Sequence, residues 1–309
     1  MSNDAIADVT RSWLAGHVWA LDPGRLEYYA PRALEHWATV LTPNHPQAHD
    51  IAATVLQARA RQETDATAAL RGPVALVPIH GFLSARPSLS ALFFGGTAMS
   101  DLRATFATLA RDPKVREVVL DIDSPGGSVY GVHETFLAIR ELAAVKPVTA
   151  VVSALAASAG YWLAAAAPRI VCTPSGDAGS IGVYGVHQDR TAYWQAKGVL
   201  HTVIAAGAHK TDGLELVALT DESRSRMQRI CDAKYTQFIG DVAVGRRTTP
   251  DAVRAGYGEG GVLCAEDALT ARLVDAIEPI EATHARLSRH AGDAARHAEV
   301  AALLAAFTS

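Results

Sequence analysis

With 309 residues, 49% of them hydrophobic and 19% charged, the chain can bury a sizeable core as one large domain or as a domain with appendages. A net charge of −4 removes any general attraction to nucleic acid or to an anionic membrane surface. Cys172, Cys231 and Cys264 are odd in number, widely spaced and without a CxxC, which argues against a disulfide framework and predicts reduced, buried thiols in a cytosol-like compartment.

Residues 1–68 mix Trp and Pro with short helical patterns and end in HDIAATVLQARARQETDATAALRG, a helix followed by a polar linker. The opening MSNDAIADVTRSWLAGHVWALDPGRLEYY carries acidic residues where a secretory signal is basic, and no apolar run of the right length follows it. His45 and His49 are four apart but share the interval with Pro46, a weak zinc pattern.

From 69 to 280 the pattern alternates. VALVPIHG, REVVLDID, KPVTAVVSA, RIVCTP and HTVIAAG predict strands, while MSDLRATFATLARD, VYGVHETFLAIRELAAV and DRTAYWQAKG predict helices. Such βα units imply an α/β domain with a parallel sheet covered by helices. A longer helix is expected over about 220–246, capped by Thr220 ahead of the acidic turn DES. Residues 281–309 form an Ala/His/Arg-rich helical tail, either frayed or available to a partner. Val148–Ala167 is uncharged, but its Ala, Ser and Gly content and the adjacent Pro147 favour a strand–turn–helix over a membrane span.

Two stretches can carry chemistry. In LDIDSPGGSV (Leu120–Val129) a strand ends, Pro125 fixes a turn, and Gly126 and Gly127 precede a helix. Glycines there let a backbone N–H approach a ligand, although a plain tight turn fits equally and no GK[ST] follows to make a phosphate loop. In SALAASAGYWLAAAA (Ser153–Ala167), Ser158 opens a helix among small neighbours, the setting of a nucleophile elbow without its GxSxG; a capping serine is the alternative. A nucleophile needs a base. His133, His187, His201 and His209 show no triad context, whereas Lys210 in AAGAHKTDG follows an apolar segment compatible with desolvation, the condition for a neutral, basic lysine.

In this order, DIDSPGG, SALAASAGYWLA, AGSIGVYG and GAHKTDG resemble the signal peptide peptidase A family of serine proteases, over about residues 73–280. The resemblance implies a Clp-protease/crotonase-like fold and a Ser–Lys dyad, with Ser158 as nucleophile, Lys210 as general base and Ser180 orienting the lysine amine. It implies an oxyanion hole from the backbone N–H groups of Gly126 or Gly127 and Ala159. YTQFIGDVAVGRR (Tyr235–Arg247) and GVLCAEDALTARLVD (Gly261–Asp275) match the family's later helix and closing segment. Two positions depart: Ala159 follows Ser158 where the family has Gly, and Arg272 stands where the closing turn commonly has Gly.

Membrane-anchored members open with a transmembrane helix, which is not expected here. VWALDPGRLEYYAPRAL instead resembles the opening of the family's phage and prophage head-maturation members. The implied protein is a cytoplasmic or prohead-associated homo-oligomeric ring acting on a peptide or protein substrate, such as a capsid scaffold or portal-associated protein. No cofactor, metal, nucleic acid or membrane anchor is expected. The alternatives are signal-peptide cleavage at a membrane, a catalytically silent capsid component of the same fold, and a crotonase-like acyl-CoA enzyme, which would need an acid/base carboxylate and CoA.

Overall fold

The computed structural model describes residues 18–21, 69–71, 73–87, 96–257 and 259–290. The expected helical pattern and zinc pair of the N-terminal zone lie outside these, apart from Val18–Leu21, which forms a strand, β1.

Four of the five expected strands form: β3 (Val74–Ser84), β5 (Glu117–Ser128), β6 (Val148–Ala157) and β7 (Arg169–Cys172), all parallel in the order β3–β5–β6–β7. β4 (Gly96–Ala98) extends the sheet beyond β3, and β11 (Ala276–Ile277) extends it beyond β7. β2 (Ala69–Arg71) folds back antiparallel on β3.

Side chains of a strand alternate between the two faces of its sheet, and a parallel sheet is covered on both. Val118, Leu120 and Ile122 of β5, with Ala150 and Val152 of β6, face the main core. Their neighbours Val119 and Val151 join Val74 and Val171 on the opposite face, where Leu287 of the helical residues 280–290 covers them. On the main face lie α1 (Met99–Arg111), α2 (Val132–Val145) and α3 (Ala159–Ala164). Met99, Leu102, Phe106 and Leu109 of α1 recur every three or four residues, the apolar stripe that buries one side of a helix. α4 (Thr191–Ala196) is short and exposes most of its length.

The long helix α5 (Asp221–Arg246) begins where expected: the Thr220 hydroxyl accepts the Ser223 N–H at 3.1 Å. Only its second half is largely buried, through Phe238, Ile239, Val242 and Ala243. Gly245 passes so close to the Ala165 carbonyl that any Cβ would overlap it. α6 (Pro250–Gly256) follows, capped by Thr249, then β10 (Val262–Cys264) and α7 (Ala265–Thr270).

Two expectations are corrected. HTVIAAG is not a strand: residues 201–205 are irregular and exposed, so the segment's apolarity is not spent on this core. The strand before Pro125 does not stop there either; β5 runs on through Gly126 and Gly127 to Ser128. Both glycines pair with β3, and Gly127 faces the Leu83 backbone where a Cβ cannot fit. Glycine serves here as a close-contact strand residue.

Candidate active site

β6 carries the chain to Ser158, and α3 leaves from it. At this junction Ser158 has φ 53 and ψ −120, a conformation strained for any residue with a Cβ. The strain is fixed from both sides: the Ser158 N–H donates to the Gly179 carbonyl at 2.8 Å, and the Ser158 carbonyl accepts from Trp162 at 2.9 Å. The residue is 1% exposed. Its hydroxyl makes no capping bond, so the helix-cap alternative does not describe it; its one acceptor among the described residues is the Gly182 carbonyl at 3.5 Å, the outer limit of a hydrogen bond.

Ser180 stands across this junction. β6 pairs with β8 (Asp177–Gly179), which puts Ala157 opposite Gly179. Ser180 follows at φ 54, held by its N–H on the Gly261 carbonyl at 2.6 Å. Ser158 and the Gly179–Gly182 turn therefore form one unit.

The glycine strand reaches the same place from the other flank. Gly160 of α3 lies against Ser124 of β5, where a Cβ would come within 2.9 Å of the Ser124 carbonyl. Ser124, which sequence reading did not single out, is fully buried; its hydroxyl donates to the Gly81 carbonyl at 2.7 Å and accepts the Gly126 N–H at 3.1 Å. A small hydroxyl directly before Pro-Gly-Gly was the available signal for this partner. Ala159 is fully buried and packs within the main core, so its methyl is spent on packing. As the first residue of α3 its N–H has no intrahelical acceptor.

Lys210 lies in a different setting. It is exposed, in a turn closed by its own N–H on the Gly207 carbonyl at 3.1 Å, and its amine has no ion pair or hydrogen bond among the described residues. Next to this turn a cavity of about 190 Å³ is lined by His187, Thr211, Gly213, Thr220 and Ser223, among others. Both ring nitrogens of His187, Nε1 of Trp194 and Oε2 of Glu215 are enclosed without a hydrogen-bond partner among the described residues. Buried polar atoms are rarely left so in a finished surface. Leu200 and Ile204, in the loop that leads to the Lys210 turn, are 81% and 95% exposed.

Behind Ser158, the first half-turns of α3 are clamped. Trp162 is fully buried, stacks on Phe238 at 4.3 Å and donates its indole N–H to Asp241 at 2.7 Å. The Tyr161 hydroxyl donates to the Leu273 carbonyl at 2.8 Å, and burial pushes its pKa up. The closing turn keeps its left-handed shape with Arg272 at φ 63, its carbonyl held by the Arg246 guanidinium, which also pairs with Asp275. Burial would raise Asp275, but the bonds from Arg246 and the Ile170 N–H outweigh it and hold the carboxyl below its ordinary value. Cys172 is buried, its thiol pushed up to about 12 by desolvation. Among the described residues no cluster of His, Cys, Asp or Glu could hold a metal ion, and no helix is long and apolar enough to cross a membrane.

Residues 140–293 match the profile of Peptidase family S49. Over 170 residues the chain is 34% identical to Capsid assembly protease C of Escherichia phage lambda, a match covering 55% of this chain and 39% of that protein. It is 37% identical over 180 residues to Head-tail preconnector protein GP5 of Enterobacteria phage P21, covering 58% and 36% respectively. It is 32% identical over 209 residues to Protease 4 of Salmonella typhi, covering 67% and 32%. The chain thus spans well under half the length of each of these relatives. Among solved structures it is similar to a ClpP1 point mutant of Listeria monocytogenes, with TM-score 0.42 and 15% identity over 71% of this chain and 96% of that one. An enoyl-CoA hydratase of Shewanella pealeana gives TM-score 0.44 and 10% identity over 76% and 77%.

Proposed function

From the match of residues 140–293 to Peptidase family S49, we propose that the chain is a serine endopeptidase of that family whose nucleophile is Ser158. The observation that carries the reading is the strained, buried junction at Ser158, whose hydroxyl is free of any capping role. Backbone strain of about 1–3 kcal/mol is kept where it serves a function, here aiming one hydroxyl out of a strand–helix turn.

In the proposed reaction the neutral Lys210 amine takes the proton as the Ser158 oxygen attacks a peptide carbonyl. N–H groups at Gly126 or Gly127 and at Ala159 receive the oxyanion, each donor contributing about 10²–10³ in rate. The lysinium protonates the departing amine, and water, with Lys210 again as base, hydrolyses the acyl-enzyme. For Gly126 to take part, its N–H exchanges the Ser124 hydroxyl for the oxyanion. Ser180, on the turn that holds Ser158, would orient the amine.

Lys210 is exposed in the single chain, and a lysine must lose water to serve as a base. The reading therefore includes assembly: a second copy covers the apolar 199–204 segment, satisfies the polar atoms around His187 and brings Lys210 into a desolvated site. The phage relatives, a capsid assembly protease and a head-tail preconnector protein, support a substrate among capsid, scaffold or portal-associated proteins. The exposure of Lys210 equally suits a second reading, a catalytically silent capsid component.

Fluorophosphonate labelling of the assembled protein, with the adduct located by mass spectrometry, separates the two. The protease reading expects an adduct on Ser158 that is lost in Ser158→Ala and Lys210→Ala, together with cleavage of casein or a peptide library. A folded, assembled protein that neither labels nor cleaves is the silent component.

A further inference from the structure

Gly126 and Gly127 pair on one edge with Phe82 and Leu83 of β3. Their other edge is the one β6 occupies lower down, until β6 parts from β5 after Ser124 and Ala156. Along the edge that β6 vacates lies β1, antiparallel, with Leu21 opposite Gly126, Ala20 opposite Gly127 and Trp19 opposite Ser128. The far edge of β1 pairs antiparallel with β9 (Tyr184–Gly185), Trp19 opposite Tyr184 and Val18 opposite Gly185.

β5 and β9 do not pair with each other among the described residues; β1 alone joins them. Removed, it would leave two facing strand edges with a gap one strand wide, about 10 Å from edge strand to edge strand. Unpaired edges of this kind accept an added strand, main-chain bonds giving affinity and alternate side chains giving selectivity. The slot borders the candidate site: β5 at its wall carries Ser124, which packs on Gly160 of the helix that begins at Ser158, and β9 follows the Gly179–Gly182 turn on which Ser158 rests.

We infer that this slot is where an extended peptide binds by strand addition, and that the chain's own Val18–Leu21 segment fills it as an autoinhibitory strand. The inference rests on the peptidase reading for the identity of the competing peptide, while occupancy of the slot can be read without turnover. The segment is tied in place by short main-chain ladders. It is therefore a displaceable plug: substrate must compete with a tethered strand, and the competent fraction of the protein sets the apparent affinity.

The test uses the full chain. Successive residues of a strand direct their N–H groups to opposite neighbours, so Trp19→Pro and Ala20→Pro each cut the ladder to one of the two flanking strands while leaving every candidate catalytic residue itself unsubstituted. In a Ser158→Ala background, a fluorescein-labelled peptide of sequence Gly-His-Val-Trp-Ala-Leu-Asp-Pro-Gly is titrated by fluorescence anisotropy. The expected result is binding about tenfold tighter in at least one proline variant than in the parent. Hydrogen exchange at Gly126–Ser128 should quicken in that variant and slow again when the peptide is added. In the Ser158-intact protein the same substitution lowers KM for a peptide substrate by a similar factor and leaves kcat unchanged. Equal anisotropy curves and equal exchange in the parent and in both folded variants overturn the inference, even with proteolysis intact. Tighter binding with no proteolysis in any form upholds the occupied slot and overturns the peptidase reading alone.

Discussion

The indole N–H of Trp162 and the carboxylate of Asp241 meet at 2.7 Å, and the same carboxylate oxygen lies 2.7 Å from Nδ1 of His133. One buried oxygen thus joins α3, which starts at Ser158, to α5 and α2. Trp162 also stacks on Phe238 of α5, so the helix behind the proposed nucleophile is held by an apolar and a polar contact to the same partner. A strained residue persists only when its surroundings over-determine it, and this clamp is one of those surroundings.

Asp241→Ala should therefore cost about 2–4 kcal/mol in urea unfolding, since it leaves the buried Trp162 N–H without an acceptor. Asp241→Asn keeps a carbonyl for the indole and should cost less than half as much. Equal, small effects from both would mean that the stack on Phe238 carries the clamp unaided.

Gly127→Ala is expected to be worse than its one methyl suggests. The added Cβ would fall on the Leu83 carbonyl and the backbone around it, which no side-chain rotation can relieve. The strands must separate, at about 3 kcal/mol or more, and the loss should appear as a lowered Tm together with lost activity. A variant of wild-type Tm would show that β3 and β5 are looser at this point than their pairing implies.

The sheet and its helices were readable because their residues obey local rules. The β-branched runs of β3, β5, β6 and β7 and the Thr220 cap need no distant information. The strand–helix turn at Ser158 was legible for a similar reason: small residues on both sides of one hydroxyl mark a crowded turn. The HTVIAAG segment misled because apolarity records burial without saying against what; Val203 and Ile204 read as strand residues of this core but are exposed. The continuation of β5 past Pro125 was hidden because Pro-Gly-Gly is ordinarily a turn, and only the pairing with β3 makes it a strand. The place of Val18–Leu21 depends on partners more than a hundred residues away, which no local pattern encodes.

If residues 199–204 are covered by a second copy, Leu200→Asp and Ile204→Asp should break the assembly. In the single chain these side chains touch little, so folding should be unaffected: the monomer Tm should shift by less than the equivalent of about 0.5 kcal/mol. Light scattering should show a smaller particle, and proteolysis should fall with it because Lys210 is no longer desolvated. An assembly of unchanged mass that retains activity would place the interface elsewhere.

His80 and Asp121 supply a pH signature. The hydrogen bond that His80 donates to Asp121 raises His80 above its ordinary 6.5, against an opposing effect of burial. Burial pushes Asp121 up, but bonds from His80 and Ser153 prevail and leave it below its ordinary 3.8. A raised histidine stabilises below its unfolded pKa and loses that contribution as pH rises through the folded one; a lowered carboxyl stabilises above its unfolded pKa and loses it as pH falls. The pair should thus contribute most between pH 3.8 and 6.5. Because the His80 side chain is 51% exposed, solvent screens the pair and the contribution should stay below about 1 kcal/mol. His80→Gln should flatten the alkaline limb of the Tm–pH curve, and an unchanged limb would assign it to another group.

The strain at Ser158 can be measured directly by comparing two inactive variants. Ser158→Ala removes the hydroxyl but keeps a Cβ at φ 53 and ψ −120, so it inherits the strain. Ser158→Gly removes both, and glycine occupies that region without steric cost. Relief is about 1–3 kcal/mol, against about 0.5–1 kcal/mol for the greater unfolded-state freedom of glycine. The glycine variant should therefore be more stable than the alanine variant in urea unfolding, by about 1 kcal/mol. That order is the reverse of the usual one for Gly and Ala. If alanine proved the more stable, the turn would have relaxed around its methyl, and strain would not be what aims the Ser158 hydroxyl.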